Sequence, residues 1–183
     1  MIIYIHGFGS SGQSAKVKIL KEEFKDESFI APSLSYVPEL AIGTLKELIT
    51  AFCKHEKVYL IGSSLGGYYA IYLADYFKIP AVLINPSTKP TITLQKVLGT
   101  PHNFYDGASY EWNENHLKML EKYEVKTIQP ELYLLLTQKG DETLNYKEAV
   151  EKLNGCQSFI EDGGSHSFEN IQKQTQNIRK FFN

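Results

Sequence analysis

The sequence predicts an α/β fold: a mostly parallel central sheet with helices on both faces. Three observations carry that expectation. Short apolar, β-rich runs recur along the 183 residues and alternate with stretches of helical periodicity. Most of the runs are continuously apolar, as strands buried on both faces require. They also stop abruptly in glycine-rich or polar loops. Strand–helix alternation of this kind implies right-handed crossovers, which bring every strand's carboxyl end to one edge of the sheet. Ligands of such folds bind along that edge.

The elements follow in order. Ile2–Ile5 read as a first buried strand, ended by His6-Gly7-Phe8-Gly9-Ser10-Ser11-Gly12. Ser11 and Ser14 can cap a helix running to about Lys25, with Val17, Leu20 and Phe24 on one face. Phe29–Ala31 suggest a short second strand, closed by Pro32. Pro38 opens a helix whose Ala41, Leu45, Leu48, Ile49 and Phe52 form an inward stripe. Val58–Ile61 make a third strand, followed by Gly62-Ser63-Ser64-Leu65-Gly66 and a helix-compatible stretch from Tyr68 through Tyr76. Pro80 precedes the buried run Ala81–Ile84, which ends at Asn85-Pro86-Ser87. Residues 87–130 break the rhythm. It resumes with a strand over Glu131–Thr137, the loop Gln138-Lys139-Gly140-Asp141 and a helix from roughly Leu144 to Leu153. Gln157–Glu161 form the last strand, ending at Asp162-Gly163-Gly164-Ser165-His166. Phe168, Ile171, Thr175, Ile178 and Phe182 mark one face of a closing helix.

Composition narrows the function classes. An apolar content of 43% over this length suits one domain with a substantial core. A net charge of −2 offers no basic surplus for nucleic acid or an anionic membrane. Cys53 and Cys156 are isolated, so neither a disulfide framework nor a structural zinc site is expected, and a reducing compartment fits. No apolar run approaches a membrane span, and Met1–Ile5 do not make a signal peptide. The expectation is a soluble, cytoplasmic protein whose partner is a small molecule. The oligomeric state is left open.

Chemically capable groups sit at four strand ends: His6-Gly7-Phe8, Ser64, Asp141 and His166. A strand, then Gly62-x-Ser64-x-Gly66, then a helix is the context of a nucleophile elbow, although the same turn could merely pack well or bind an anion. Ser64, Asp141 and His166 follow one another in the chain order of an α/β-type triad. Acyl transfer needs these types of residue. A serine hydroxyl is a weak nucleophile at neutral pH, and His166 would take its proton and later hand it to the leaving alcohol. Asp141 would hold the imidazole in one tautomer and stabilise its cation. Glu142 and Asp162 are rival acids, and Asp141 is preferred because it directly follows a strand and Gly140. It could also be only a helix cap. Backbone N–H groups of Phe8 and Leu65 are the candidate oxyanion donors. His6 would brace that loop, and His55, His102 and His116 read as ordinary residues. No metal or cofactor is expected, because the histidines lack ligand spacing.

The opening Tyr4-Ile5-His6-Gly7-Phe8-Gly9-Ser10-Ser11, with Ser14-Ala15-Lys16 after it, resembles the small bacterial α/β-hydrolases of the YqiA/YcfP esterase family. So do Ile61–Ala70, Leu83–Ser87 with Lys89-Pro90, Gly140-Asp141-Glu142 and Gly163–Phe168. Where Lys89 stands, the family is expected to carry arginine. The resemblance runs over nearly the whole chain and is weakest over 91–130. It implies a compact α/β-hydrolase with Ser64, Asp141 and His166 as triad, and hydrolysis of short-chain carboxylic esters. Residues 88–130 stand where this fold commonly inserts a cap. Tyr105, Tyr110 and Trp112, beside Phe104, would line a substrate pocket there or simply pack the segment onto the body. A thioesterase or acyltransferase with the same triad, or a catalytically silent binding protein, are the alternatives.

Overall fold

Alternating side chains along six strands divide the core into two layers. The computed structural model describes residues 1–183. Its strands are β1 (Ile2–Ile5), β2 (Phe29–Ile30), β3 (Tyr59–Ser63), β4 (Ala81–Ile84), β5 (Tyr133–Gln138) and β6 (Gln157–Glu161). They form one sheet in the order β2-β1-β3-β4-β5-β6, and every pairing is parallel. The helices are α1 (Ala15–Glu23), α2 (Pro38–Phe52), α3 (Leu65–Phe77), α4 (Pro90–Thr93), α5 (Glu114–Glu121), α6 (Tyr146–Lys152) and α7 (Thr175–Phe182). Because strand side chains alternate between faces, Ile3, Ile5, Leu60, Leu83 and Leu135 point to one side. There they join Leu45 and Ile49 of α2, Leu73 of α3 and Leu120 of α5. Ile2, Tyr4, Ile61, Val82 and Leu134 point to the other side, onto Val17 and Leu20 of α1 and Ile178 of α7.

Several boundaries differ from the sequence expectation, each for a local reason. β3 extends through Gly62 and Ser63, which pair with Leu83 and Ile84. α3 therefore starts at Leu65, directly after Ser64. Ser14 occupies the position before α1 but its side chain caps nothing; the Ser11 hydroxyl instead accepts from Gln13 N–H at 3.1 Å. Pro130–Leu132 form a 3₁₀ turn, so β5 begins at Tyr133 and ends at Gln138, paired with Glu161. The closing helix is shorter than its apolar face suggests. Phe168 is buried in a loop at φ 59°, and a 3₁₀ turn over Ile171–Gln174 precedes α7.

Residues 87–130 fold as α4, a 3₁₀ turn over Leu94–Val97, two antiparallel bridges (Gly99 with Trp112, His102 with Ser109) and α5. The start of α5 is sealed by its own side chains. Asn113 Oδ1 accepts from Asn115 N–H, and His116 Nδ1 accepts from Asn113 N–H.

The turn between β3 and α3 leaves no room for side chains on its glycines. A Cβ on Gly62 would come 2.3 Å from Gly66 O, and one on Gly66 would come 2.0 Å from Ile5 O. Gly43, in α2, has nothing within 4 Å of the same position. Two substitutions with identical chemistry should therefore act oppositely in a denaturant titration. Gly66→Ala should destabilise by about 3 kcal/mol or more, whereas Gly43→Ala should stabilise by about 0.5–1 kcal/mol. Equal responses would contradict this packing.

Candidate active site

Ser64, Asp141 and His166 leave three different strands and meet at the carboxyl edge of the sheet. Ser64 sits at φ 56°, ψ −121°, a strained conformation for a residue with a Cβ. That turn lifts its side chain off the end of β3. His166 Nε2 lies 3.0 Å from Ser64 Oγ, and His166 Nδ1 lies 2.8 Å from Asp141 Oδ2. A carboxylate can only accept, so Nδ1 carries the ring proton and Nε2 is free to accept from the serine hydroxyl. The Asp141 side chain is 2% exposed and that of His166 23%. Burial works against the charged form of Asp141. The hydrogen bond from His166 and the backbone N–H groups of Leu144 and Thr143 outweigh it, holding the carboxyl below the usual range.

The rival acids lie elsewhere. Glu142 turns its carboxylate to the backbone N–H of His166 at 3.0 Å, which steadies the loop rather than the ring. Asp162 pairs with Lys139 in solvent.

The loop after β1 closes the other side of Ser64. A Cβ on Gly7 would stand 3.0 Å from Ser64 Cβ, so glycine permits this approach. Phe8 N–H has no acceptor within the protein, and Leu65 N–H opens α3, where no intrahelical acceptor exists. Both N–H groups therefore lack a protein acceptor, in the two segments that flank Ser64. His6 is buried; its Nε2 accepts from Leu34 N–H and its Nδ1 faces Gly7 O, each at 2.9 Å. Burial pushes its pKa down, with the Gly7 bond working the other way. It is a neutral brace between the loops after β1 and β2.

A cavity of about 680 Å³ opens at Ser64, with Lys16, Ser87, Leu94, Phe104, Leu144 and His166 among its walls. The structure does not bring Trp112 or Tyr105 to it. Trp112 is 1% exposed, packed edge-on against Phe8 and stacked on His116, and donates from Nε1 to Leu94 O. Its size and apolar character are used in joining α5 to the loop after β1. Tyr105 is 61% exposed and lines no cavity near the serine. Tyr110 lines a smaller cavity of about 250 Å³, together with Tyr36, that shares Gly7, Phe8, Ser10 and Leu65 with the larger one. From the aromatic group, Phe104 reaches the Ser64 cavity, its N–H bound to Gly9 O at 2.7 Å. The structure has no group of three or more His, Cys, Asp or Glu side chains placed to hold a metal ion, and no helix long and apolar enough to cross a membrane.

Two buried amides that sequence reasoning missed hold the histidine loop. Asn85, 2% exposed at φ 39°, donates from Nδ2 to Ser165 O (2.9 Å) and His166 O (3.2 Å). Its Oδ1 accepts from Thr137 Oγ1 and Gln138 N–H. Gln138 Oε1 accepts from Ser165 N–H and Glu169 N–H, and its Nε2 donates to Glu161 and Glu169 O. The only sequence signal was a polar residue directly after each of two apolar runs. Removing the Asn85 amide leaves several of these groups unpaired, so Asn85→Ala should lower unfolding stability by about 2–3 kcal/mol. A change below about 0.5 kcal/mol, the level of an ordinary surface substitution, would contradict the network.

The model of the uncharacterised protein family UPF0227 matches residues 1–183. The UPF0227 protein YcfP of Escherichia coli is 26% identical over 186 aligned residues, covering 99% of this chain and 98% of the relative. Among solved structures, Est1E of Butyrivibrio proteoclasticus, described with ferulic acid bound, superposes with a TM-score of 0.78 at 14% identity. The match covers 98% of this chain and 86% of Est1E. Alpha/beta hydrolase domain-containing protein 10 from mouse gives 0.73 at 17% identity, covering 98% of this chain and 88% of that one. The chain belongs to the UPF0227 family, the YcfP/YqiA type, and has the α/β-hydrolase fold.

Proposed function

We propose that the protein is a serine hydrolase that cleaves carboxylic esters, with short acyl chains, through an acyl-enzyme on Ser64. The observation that carries this reading is the continuous hydrogen-bond chain Ser64–His166–Asp141 beside two unengaged backbone N–H groups. His166 Nε2 takes the hydroxyl proton as Ser64 Oγ attacks the ester carbonyl. The carbonyl oxygen becomes an oxyanion, and the N–H groups of Phe8 and Leu65 stabilise it as it forms. The tetrahedral intermediate collapses, His166 returns the proton to the departing alkoxide, and the alcohol leaves. Water, deprotonated by the same imidazole, then attacks the acyl carbon and releases the acid. Asp141 keeps Nδ1 as the donor and stabilises the imidazolium through both halves.

The segment 88–130 is the cap in this reading. Phe104 and Leu94 come from it to wall the cavity, while Trp112 fastens it to Phe8. The proposed substrate pocket is thus bounded by Phe104 rather than by Tyr105 or Trp112. Thioester cleavage or acyl transfer would use the same groups with a different leaving group or acceptor. Est1E has been solved with ferulic acid bound, and its similarity in fold supports ester chemistry here.

Hydrolysis of p-nitrophenyl butyrate, read with thermal melting, tests the proposal. Ser64→Ala should lower kcat by on the order of 10⁴-fold or more while leaving the protein folded. Asp141→Asn should lower kcat by on the order of 10³–10⁴-fold, since an amide favours the wrong imidazole tautomer. A folded Ser64→Ala protein with undiminished turnover would overturn the assignment.

A further inference from the structure

Lys16, on the first turn of α1, forms part of the wall of the cavity at Ser64. Its Nζ donates to Ser63 Oγ at 2.7 Å. An ammonium has three N–H donors, and no other protein acceptor engages it. It takes part in none of the ion pairs of the molecule. The acid whose field reaches it, Asp141, is already committed to His166. Lys16 is half-buried, and a partly desolvated cation without a counter-ion is costly; Ser63 Oγ and the more distant Asp141 charge offset only part of that cost. Burial pushes its pKa down to about 8, with the Asp141 charge acting in the opposite direction, so the group is still cationic at neutral pH.

A second group on the same cavity wall lacks a partner. Ser87 Oγ is buried and forms no hydrogen bond. Its backbone is fixed to the serine turn, Ser87 N–H donating to Ser64 O at 2.9 Å. Ile19, Leu94, Val97 and Phe104 make much of the remaining wall apolar. The other ionisable side chains there are Tyr4, whose phenol burial keeps neutral, His166, and Glu169, which is exposed, where water and salt screen it.

We infer that the ester attacked by Ser64 carries an anionic oxygen group, carboxylate or phosphate, which pairs with Lys16 and accepts a hydrogen bond from Ser87. The inference rests on the reading of Ser64 as nucleophile. Lys16 is then a specificity-determining residue, and the substrate supplies the counter-ion the fold omits.

Two substrate pairs separate the possible positions of the anion. p-Nitrophenyl hemiglutarate against p-nitrophenyl pentanoate places a carboxylate on the acyl side. Phosphoethyl butyrate against ethyl butyrate places a phosphate on the alcohol side. In at least one pair the anionic ester should be preferred in kcat/KM by about tenfold or more, the scale of one charge-assisted hydrogen bond. Lys16→Met should abolish that preference, lowering the anionic ester's kcat/KM by about tenfold more than the neutral ester's. A merely structural lysine would lower both esters together. Binding to Ser64→Ala gives a readout without turnover. Monomethyl glutarate should bind more tightly than dimethyl glutarate, and the difference should vanish when Lys16→Met is added. That arm stands even if Ser64 proves not to be the nucleophile, and its comparison of the two glutarates on Ser64→Ala needs no Lys16 variant to fold. Equal handling of both members in both pairs, or a preference that survives Lys16→Met, would overturn the inference.

Discussion

A serine held at positive φ on the tip of β3 is the constraint on which the rest of this structure depends. The conformation costs on the order of 1–3 kcal/mol and persists only when its surroundings over-determine it. Those surroundings are the neighbouring strands. Ser64 N–H donates to Ile84 O at the end of β4, and Ser64 O accepts from Ser87 N–H, Gly67 N–H and Tyr68 N–H. On the other side the turn presses against β1 so closely that Gly66 admits no side chain beside Ile5 O. β1, β3 and β4 are adjacent and parallel, so their register fixes the place of the hydroxyl. The loop after β1 and the start of α3 then face it because they leave the same edge.

The histidine is placed by different means. His166 lies in a loop after β6, an edge strand whose residues are mostly exposed or half-buried. Gly163 and Gly164 both take positive φ there. Apolar packing alone would leave such a loop free to shift. Asn85 and Gln138 instead tie its backbone to the ends of β4 and β5. A fully satisfied buried amide network fixes one arrangement, because every alternative leaves a polar group unpaired in a low-dielectric interior. Asp141 Oδ1 is occupied by the N–H groups of its own turn, which leaves Oδ2 for His166. The cap segment is held differently again, by aromatic packing of Trp112 on Phe8 and His116.

What could be read from the sequence divides along this line between local and long-range causes. β1, β3, β4 and β5 were legible because each contains a continuous apolar run, and the turn at Ser64 was legible because glycine at 62 and 66 has a local steric reason. The choice of Asp141 over Glu142 and Asp162 followed from its position directly after a strand, and of the three it is the carboxylate that lies against the His166 ring. Legibility ends where function is assembled from distant segments. Asn85 looks like any polar residue ending a strand, and Lys16 like any lysine at the start of a helix. Their meaning lies in partners 80 and 47 residues away. Trp112 was misleading for a related reason. An aromatic cluster marks packing and pocket walls alike, and only the fold shows that Trp112 faces inward while Phe104 reaches the cavity.

The central claim is that the serine turn and the histidine loop together make an activated nucleophile. Labelling with a fluorophosphonate probe, followed by peptide mapping, tests it most directly, because phosphonylation needs both a deprotonated serine oxygen and a working oxyanion site. A single adduct on Ser64, absent from Ser64→Ala, is the expected result. A folded wild-type protein that takes no label, or takes it at another residue, would contradict the claim.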